Sequence, residues 1–308
     1  MDLTEIKECL ACGGDNLTLV LDLNDQPLAN SYKKTKDEPE ASYPLMINRC
    51  EACCHVQLSH IVNPDLIYKN YLYVSGTTKT YVEYMDWYAR YVLEKYTNQG
   101  INQLGPFSVL DIGCNDGSQL NAFKKLMFKT YGVDPAENLY ELSSKNHNVK
   151  CGYFDETYTQ KVDIITIQNA FAHNPNPLKL LQNAKNNLNR NGLIFIQTSQ
   201  SDMILNSEFD TIYHEHISFY NIKSMLMLCN RAGLNLIDVI KTPIHGTSYI
   251  FIISADKYAP ANIRNLIEME TEAGLYKPST YIEYTEKCLD MVNKFRTQIH
   301  YWLSLIHI

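Results

Sequence analysis

No apolar run in this 308-residue chain approaches the length a bilayer demands, and the opening MDLTEIKECLACGG lacks the apolar core of a secretion signal. A membrane span is therefore not expected, and the chain reads as cytoplasmic. Basic charge is also short. Against 34 Asp and Glu stand 27 Lys and Arg, a formal charge of -7 that offers no footprint for a nucleic-acid backbone. Neither a GxGxxG dinucleotide fingerprint nor a GxxxxGK[ST] phosphate loop occurs. Nine cysteines are too few for a disulfide scaffold of this size. What remains is a chain with 45% hydrophobic residues, long enough for two domains or for one with an appendage. It is expected to act as a monomer on a small molecule, with no nucleic-acid or membrane partner.

Four of the nine cysteines fall into two pairs, Cys9-x-x-Cys12 and Cys50-x-x-Cys53. Each pair can set two thiolates on one tetrahedral ion, and four thiolates leave no open position, so the expected metal is a structural Zn2+. Cys54 and His55 stand close enough to be rival ligands. The sixty residues around the pairs are rich in turn formers and read as loops that need a metal to hold them.

From Asn70 to Asn98 a loop gives way to a tyrosine-rich helix, with Tyr81, Met85, Tyr88 and Val92 at helical spacing, more a core stripe than a site. From Phe107 strands alternate with helices: SVLDI, a helix over about 118–128, KTYGVD, a helix over AENLYELSSKN, VDIITIQN, a helix over NPLKLLQNAKNNLNRNG stopped by its glycine, and GLIFIQTS. Such alternation implies an α/β fold with a parallel, doubly wound sheet, closed by LNLIDVIKT and SYIFIIS. VLDIGCNDGSQL sets Asp111, Gly113, Asn115, Asp116 and Gly117 at the first strand-to-helix turn, where such sheets bind ligands. An acidic loop repels pyrophosphate and suits a cationic sulfonium. Asp134, ending the second strand, can accept from both ribose hydroxyls, so S-adenosylmethionine is the expected cofactor.

Taken together, the zinc knuckles, QPLANSY, YPLMINRC with VQLSH, YLYVSGT, DIGCNDG, GVDPAEN, NAFAH, FDTIYHEHISFY and the HGTS of 245–248 resemble the zinc-containing sugar C-methyltransferases, which methylate C3 of nucleotide-linked 4-keto-deoxyhexoses. The resemblance implies a Rossmann-like S-adenosylmethionine methyltransferase sheet behind a small N-terminal zinc-binding domain. It makes His216 the base, with Glu215 assisting, Tyr213 and His173 as donors to sugar oxygens, and Tyr73 reaching the site from the connector, Tyr71 being the alternative. Pro135 and Asn169 join the cofactor set. Two departures stand out: Cys54 and Thr247 replace glycines of the family pattern. O- or N-methylation of another small molecule, or a zinc-ribbon binding module on a catalytically silent scaffold, are the competing functions.

The expected divisions are a zinc-binding domain over 1–70, a connector over 71–104, the methyltransferase domain over 105–256, and the helical start of a truncated C-terminal domain over 257–302. The last six residues, LSLIHI, are what one frame of the transposase adapter end CTGTCTCTTATACACATC encodes, so 303–308 are expected to be non-native. Re-sequencing the source locus tests this; the same six codons followed by a genuine stop would refute it.

Overall fold

The computed structural model describes residues 2–99, 105–199, 202–256 and 262–305. Its first sixty residues hold more strand than their turn-rich composition suggests. Strands β1 (Leu3–Glu5), β2 (Leu17–Pro27), β3 (Ser42–Cys50), β4 (Val56–Leu58) and β5 (His60–Val62) build two small sheets. The 37 residues between the cysteine pairs are mostly one long β2–β3 hairpin, paired antiparallel from Leu17 with Cys50 to Pro27 with Ser42. With β4, the apolar residues Leu21, Leu45, Ile47, Val56 and Leu58 give this sheet a buried face.

Helix α1 (Asp65–Tyr68) follows, and the connector helix α2 (Lys79–Thr97) begins nine residues after Asn70. The residues between them form a strap that makes one short 3-10 turn at Ser75–Thr77 and is otherwise bonded to neighbouring loops. In α2, Tyr81, Met85, Tyr88, Ala89, Val92 and Tyr96 make the buried stripe that the spacing predicts.

The chain then runs through β6 (Ser108–Ile112), α3 (Ser118–Lys125), β7 (Lys129–Asp134), α4 (Tyr140–Ser144), β8 (Asn148–Cys151), β9 (Val162–Gln168), α5 (Pro177–Asn187), β10 (Leu188–Ser199), α6 (Asp202–Asn206), β11 (Ser218–Phe219), α7 (Ile222–Ala232), β12 (Asn235–Thr242) and β13 (Ser248–Ser254), and all of these strands except β11 build the main sheet. Its seven strands run β12-β13-β10-β9-β6-β7-β8, parallel except for β13, which is antiparallel to both neighbours. Strand order reverses at β6, so the crevice of this doubly wound, Rossmann-like sheet opens at the carboxyl end of β6. β8 was not expected, because NVKC is short and only half-buried. Helix α5 ends before its expected glycine stop; Asn191, at φ 62°, supplies the left-handed residue and the chain is already in β10.

The short strand β11 leaves the main sheet altogether. It pairs with β4, Ser218 with Gln57 and Phe219 with Val56, and so becomes the fourth strand of the N-terminal sheet. The segment just before it, FDTIYHEH, is thereby stretched between the two lobes. Helices α8 (Ile263–Glu272) and α9 (Pro278–Leu305) follow, and α9 buries Tyr281, Tyr284 and Cys288 in the same core as β2–β4. Of the expected adapter-encoded tail, 306–308 lie outside the described residues.

Glu270 ties α8 to the rest. Its buried carboxylate accepts from the Ile222 N–H, at the start of α7, and from the Tyr249 and Tyr276 hydroxyls. Burial raises its pKa from 4.5 to about 7. A raised carboxyl favours the protonated folded state, so its contribution to stability is whole below pH 4.5 and is lost as pH rises through 7. Glu270→Gln should flatten that part of the melting-temperature profile; an unchanged wild-type-minus-mutant difference across pH 4.5–7 would contradict it.

Candidate active site and metal centre

The two cysteine knuckles meet as the spacing requires. The Sγ atoms of Cys9, Cys12, Cys50 and Cys53 all lie within 4.8 Å of one another, with Cys9 to Cys53 at 3.6 Å and Cys12 to Cys50 at 3.5 Å. Tetrahedral Zn–S bonds of about 2.3 Å place sulfurs about 3.8 Å apart, so the cage fits that ion. The protein alone cannot hold four thiolates here. Accepting from the Cys53 thiol drives Cys9 down, while the same bond and burial drive Cys53 up. Neither rival ligand enters the cage: His55 Nε2 bonds to Ser218 Oγ at 3.2 Å while its ring packs on Tyr220, and Cys54 Sγ lies 3.7 Å from Arg49 Nη2.

At the carboxyl end of β6 the chain turns through Gly113 and Gly117, at φ 79° and 80°, with Asn115 at 50° between them. A Cβ on Gly113 would sit 2.5 Å from the Ala170 Cβ, so glycine is required for the close approach of these loops. Asp134 ends β7; its Oδ2 accepts from the Asn115 N–H and its Oδ1 from the Ala136 N–H, both at 2.8 Å, beyond the intervening Pro135. Each oxygen keeps a lone pair, and the carboxylate suits a vicinal diol. Asn169, at φ 52°, stands at the end of β9 with its Nδ2 donating to Tyr81 Oη at 3.3 Å. Asp111 lies deeper: it is buried in β6, accepts from Thr166 Oγ1 at 2.7 Å, and burial lifts its pKa to about 7. Asp116 faces the strap, taking the Gly76 N–H at 3.0 Å. The donor set, acidic and glycine-lined, fits a sulfonium nucleoside. Cavities of about 400 and 490 Å3 open elsewhere, beside Ser144, His147 and Asn148.

The FDTIYHEH segment brings a compact acid–base cluster to the same side. His216 Nδ1 is 2.8 Å from the Thr211 carbonyl, which only accepts, so Nδ1 carries the proton and Nε2 takes a hydrogen bond from Tyr213 Oη at 3.0 Å. The His216 pKa departs from the ordinary histidine value of 6.5. Burial, opposed by the Thr211 bond and reinforced by nearby His245, lowers it to about 4, so the ring is the free base. His173 packs against it at 5.2 Å and stacks on Tyr68 at 5.6 Å; its Nε2 is buried with no partner among the described residues, and burial holds it neutral. The buried Glu215 carboxylate accepts from Tyr71 Oη at 2.8 Å and from Asn30 Nδ2 at 3.2 Å, and its backbone carbonyl accepts from Tyr68 Oη. His214 turns the other way, to the Tyr43 carbonyl. Of the two connector tyrosines, it is Tyr71 that reaches Glu215; Tyr73 is exposed, with its carbonyl bonded to Asn115.

Several neighbours escaped the sequence reading. Asn30 lies in QPLANSY and Tyr68 just ahead of YLYVSGT, and neither position hints at its partner. Tyr81 and Tyr84, at core-like spacing, reach Asn169 and Gln197, and the Tyr81 ring meets His245 edge-on at 5.0 Å. His245 is itself at φ 51°, and Thr247 at φ 153° occupies backbone that glycine adopts freely. Cys54 is at φ 58°. Both departures from the family's glycines therefore fall where a side chain is strained.

A Rossmann-like sheet with an acidic glycine turn, a neutral histidine cluster beside it and a four-thiolate cage define an S-adenosylmethionine-dependent methyltransferase with a zinc-binding appendage. Residues 79–239 match the family described as "Methyltransferase domain", and residues 9–68 match one described as "Putative zinc binding domain". The chain belongs to the methyltransferase domain family. It is 26% identical over 296 residues to C-methyltransferase NovU of Streptomyces niveus, spanning 91% of this chain and 69% of that protein. It is 29% identical over 162 residues to the tRNA U34 carboxymethyltransferase of Campylobacter jejuni, spanning 46% of this chain and 54% of that protein. Among solved structures it is similar to an S-adenosylmethionine-dependent methyltransferase from Clostridium acetobutylicum, at 14% identity and TM-score 0.47, over 56% of this chain and 92% of that one. Among the described residues no helix is long and apolar enough to cross a membrane.

Purified protein should carry one zinc ion per chain by atomic emission. Cys50→Ser should lower that stoichiometry and expose the β2–β4 core to proteolysis; full zinc retention by the mutant would contradict the four-cysteine cage.

Proposed function

We propose that the protein is a C-methyltransferase acting at C3 of a nucleotide-linked 4-keto-deoxy sugar, with His216 as base. The observation that carries this reading is the state of His216: a neutral ring, its tautomer fixed by the Thr211 carbonyl, with a basic Nε2 turned into the cluster. The likeness to NovU, whose name states C-methylation, supports the choice of carbon over oxygen or nitrogen.

A carbon acid beside a ketone needs a base and a donor for the enolate oxygen. The C3–H bond breaks toward His216 Nε2 and its electron pair spreads onto O4. Tyr213 already occupies Nε2, so its hydroxyl turns aside for the sugar or relays the proton. His173 Nε2 has no partner among the described residues, and in its Nε2–H tautomer it donates to O4. Burial raises the Glu215 pKa and the Tyr71 and Asn30 hydrogen bonds oppose that rise; in its ionised form Glu215 offsets the imidazolium charge that forms on His216. S-Adenosylmethionine, held by Gly113, Asn115, Asp116, Gly117, Asp134, Pro135 and Asn169, supplies the electrophilic methyl group. Tyr73 borders this cofactor loop through its carbonyl, which accepts from Asn115 Nδ2.

Incubation of the zinc-loaded chain with methyl-labelled S-adenosylmethionine and a panel of nucleotide-activated 4-keto-6-deoxy sugars should yield a product labelled on carbon. No transfer, or label on oxygen or nitrogen, would sink the reading. His216→Ala should cut the rate about 10²- to 10⁴-fold and leave S-adenosylmethionine affinity unchanged by calorimetry. Because His216 titrates near 4, the acid limb of kcat/KM should fall well below the ordinary histidine range; a limb near pH 6.5 would contradict the assignment.

A further inference from the structure

The strap between α1 and α2 crosses the cofactor crevice, held by side chains of the loops beneath it. Asn138 grips the backbone of Tyr71 with both ends of its amide. Oδ1 accepts from the Tyr71 N–H at 3.0 Å, and Nδ2 donates to the Tyr71 carbonyl at 2.9 Å. The neighbouring Glu137 N–H donates to the Lys69 carbonyl at 3.1 Å. Asn115 binds the strap in the same way, with Nδ2 on the Tyr73 carbonyl at 2.9 Å and Oδ1 taking the Ser75 N–H at 3.0 Å. At Gly76 a Cβ would come within 2.3 Å of Ser118 Oγ and 2.7 Å of Asp116 Oδ2, so the strap can lie this close only through glycine.

The side chain of the clamped residue points into the acid–base cluster, where Tyr71 Oη donates to Glu215 Oε2 at 2.8 Å. We propose that Asn138 is a positioning residue for methyl transfer: by gripping Tyr71 from both sides, it fixes the hydroxyl that orients the Glu215 carboxylate. The loop that carries Asp134 and the cluster around His216 are thereby registered to one another through one residue. This rests on the reading of Glu215 and His216 as the reacting cluster. Only an amide does the task, since the clamp needs one acceptor and one donor on a short stem. Aspartate would set an acceptor against the Tyr71 carbonyl. Asn138 is exposed, so replacing it removes no core packing and the variants are expected to fold.

The test compares Asn138→Ala, Asn138→Asp, Tyr71→Phe and the Asn138→Ala/Tyr71→Phe double variant in the zinc-loaded chain. Each Asn138 variant should lose up to about 10²-fold in kcat. Melting temperature and affinity for S-adenosylhomocysteine should stay at wild-type values. The double variant should be no slower than Tyr71→Phe alone, because both changes break one linkage. Unchanged kcat in Asn138→Ala, or losses that multiply in the double variant, would overturn the proposal. A second readout does not depend on turnover. 3-Fluorotyrosine placed at Tyr71 should give a fluorine resonance that Asn138→Ala moves toward its position in Glu215→Gln, and a resonance left in place would overturn the clamp. If the wild-type chain methylates no sugar in the panel, the functional reading fails on its own, and the fluorine shift still decides whether Asn138 positions Tyr71.

Discussion

Four sulfurs within 4.8 Å of one another, mostly out of water, can all be thiolates only around a cation. That requirement organises much of the molecule. Cys50 ends β3 and Cys53 lies in the turn to β4, so the metal fixes the joint between two strands of the N-terminal sheet. β4 in turn accepts β11, and β11 ends the segment that carries Tyr213, Glu215 and His216. Metal, sheet edge and acid–base cluster form one mechanical series, although the ion does no chemistry. Arg231 adds a second tie, donating from α7 to the Ala11 carbonyl inside the first knuckle at 2.7 Å.

Much of this was legible because the signals were local. A CxxC pair states its geometry in four residues, and the alternation of apolar strands with amphipathic helices gave the parallel sheet without tertiary information. The glycine turn after β6 and Asp134 after β7 could be placed for the same reason. The failures share a different cause. β11 has two residues, too few for any periodicity, and exists only because β4 offers an open edge. The strap has no self-bonded structure beyond a single 3-10 turn at Ser75–Thr77, too short for periodicity to show. Tyr81 has the spacing of a core residue and is buried, yet its hydroxyl faces Asn169, a distinction that periodicity cannot draw. His216 was picked by motif, but its protonation state follows from the Thr211 carbonyl and from burial, which no motif encodes.

The neutral cluster has a physical logic. Two histidines at 5.2 Å would repel if charged, and burial keeps both as free bases. Glu215 is the acidic member of the cluster, and its hydrogen bonds come from hydroxyl and amide donors. The cluster therefore has room for a single added proton.

The pairing of Ser218 and Phe219 with β4 also bears on how this protein could be engineered. A boundary drawn near residue 70 looks natural in the sequence, and a designer would be tempted to graft the zinc lobe onto another methyltransferase or to delete it for a smaller catalyst. Either cut would strand β11 beside an absent neighbour and leave the YHEH segment without its anchor. The transferable unit is the lobe together with the return strand, two pieces of chain about 150 residues apart that must be moved as one.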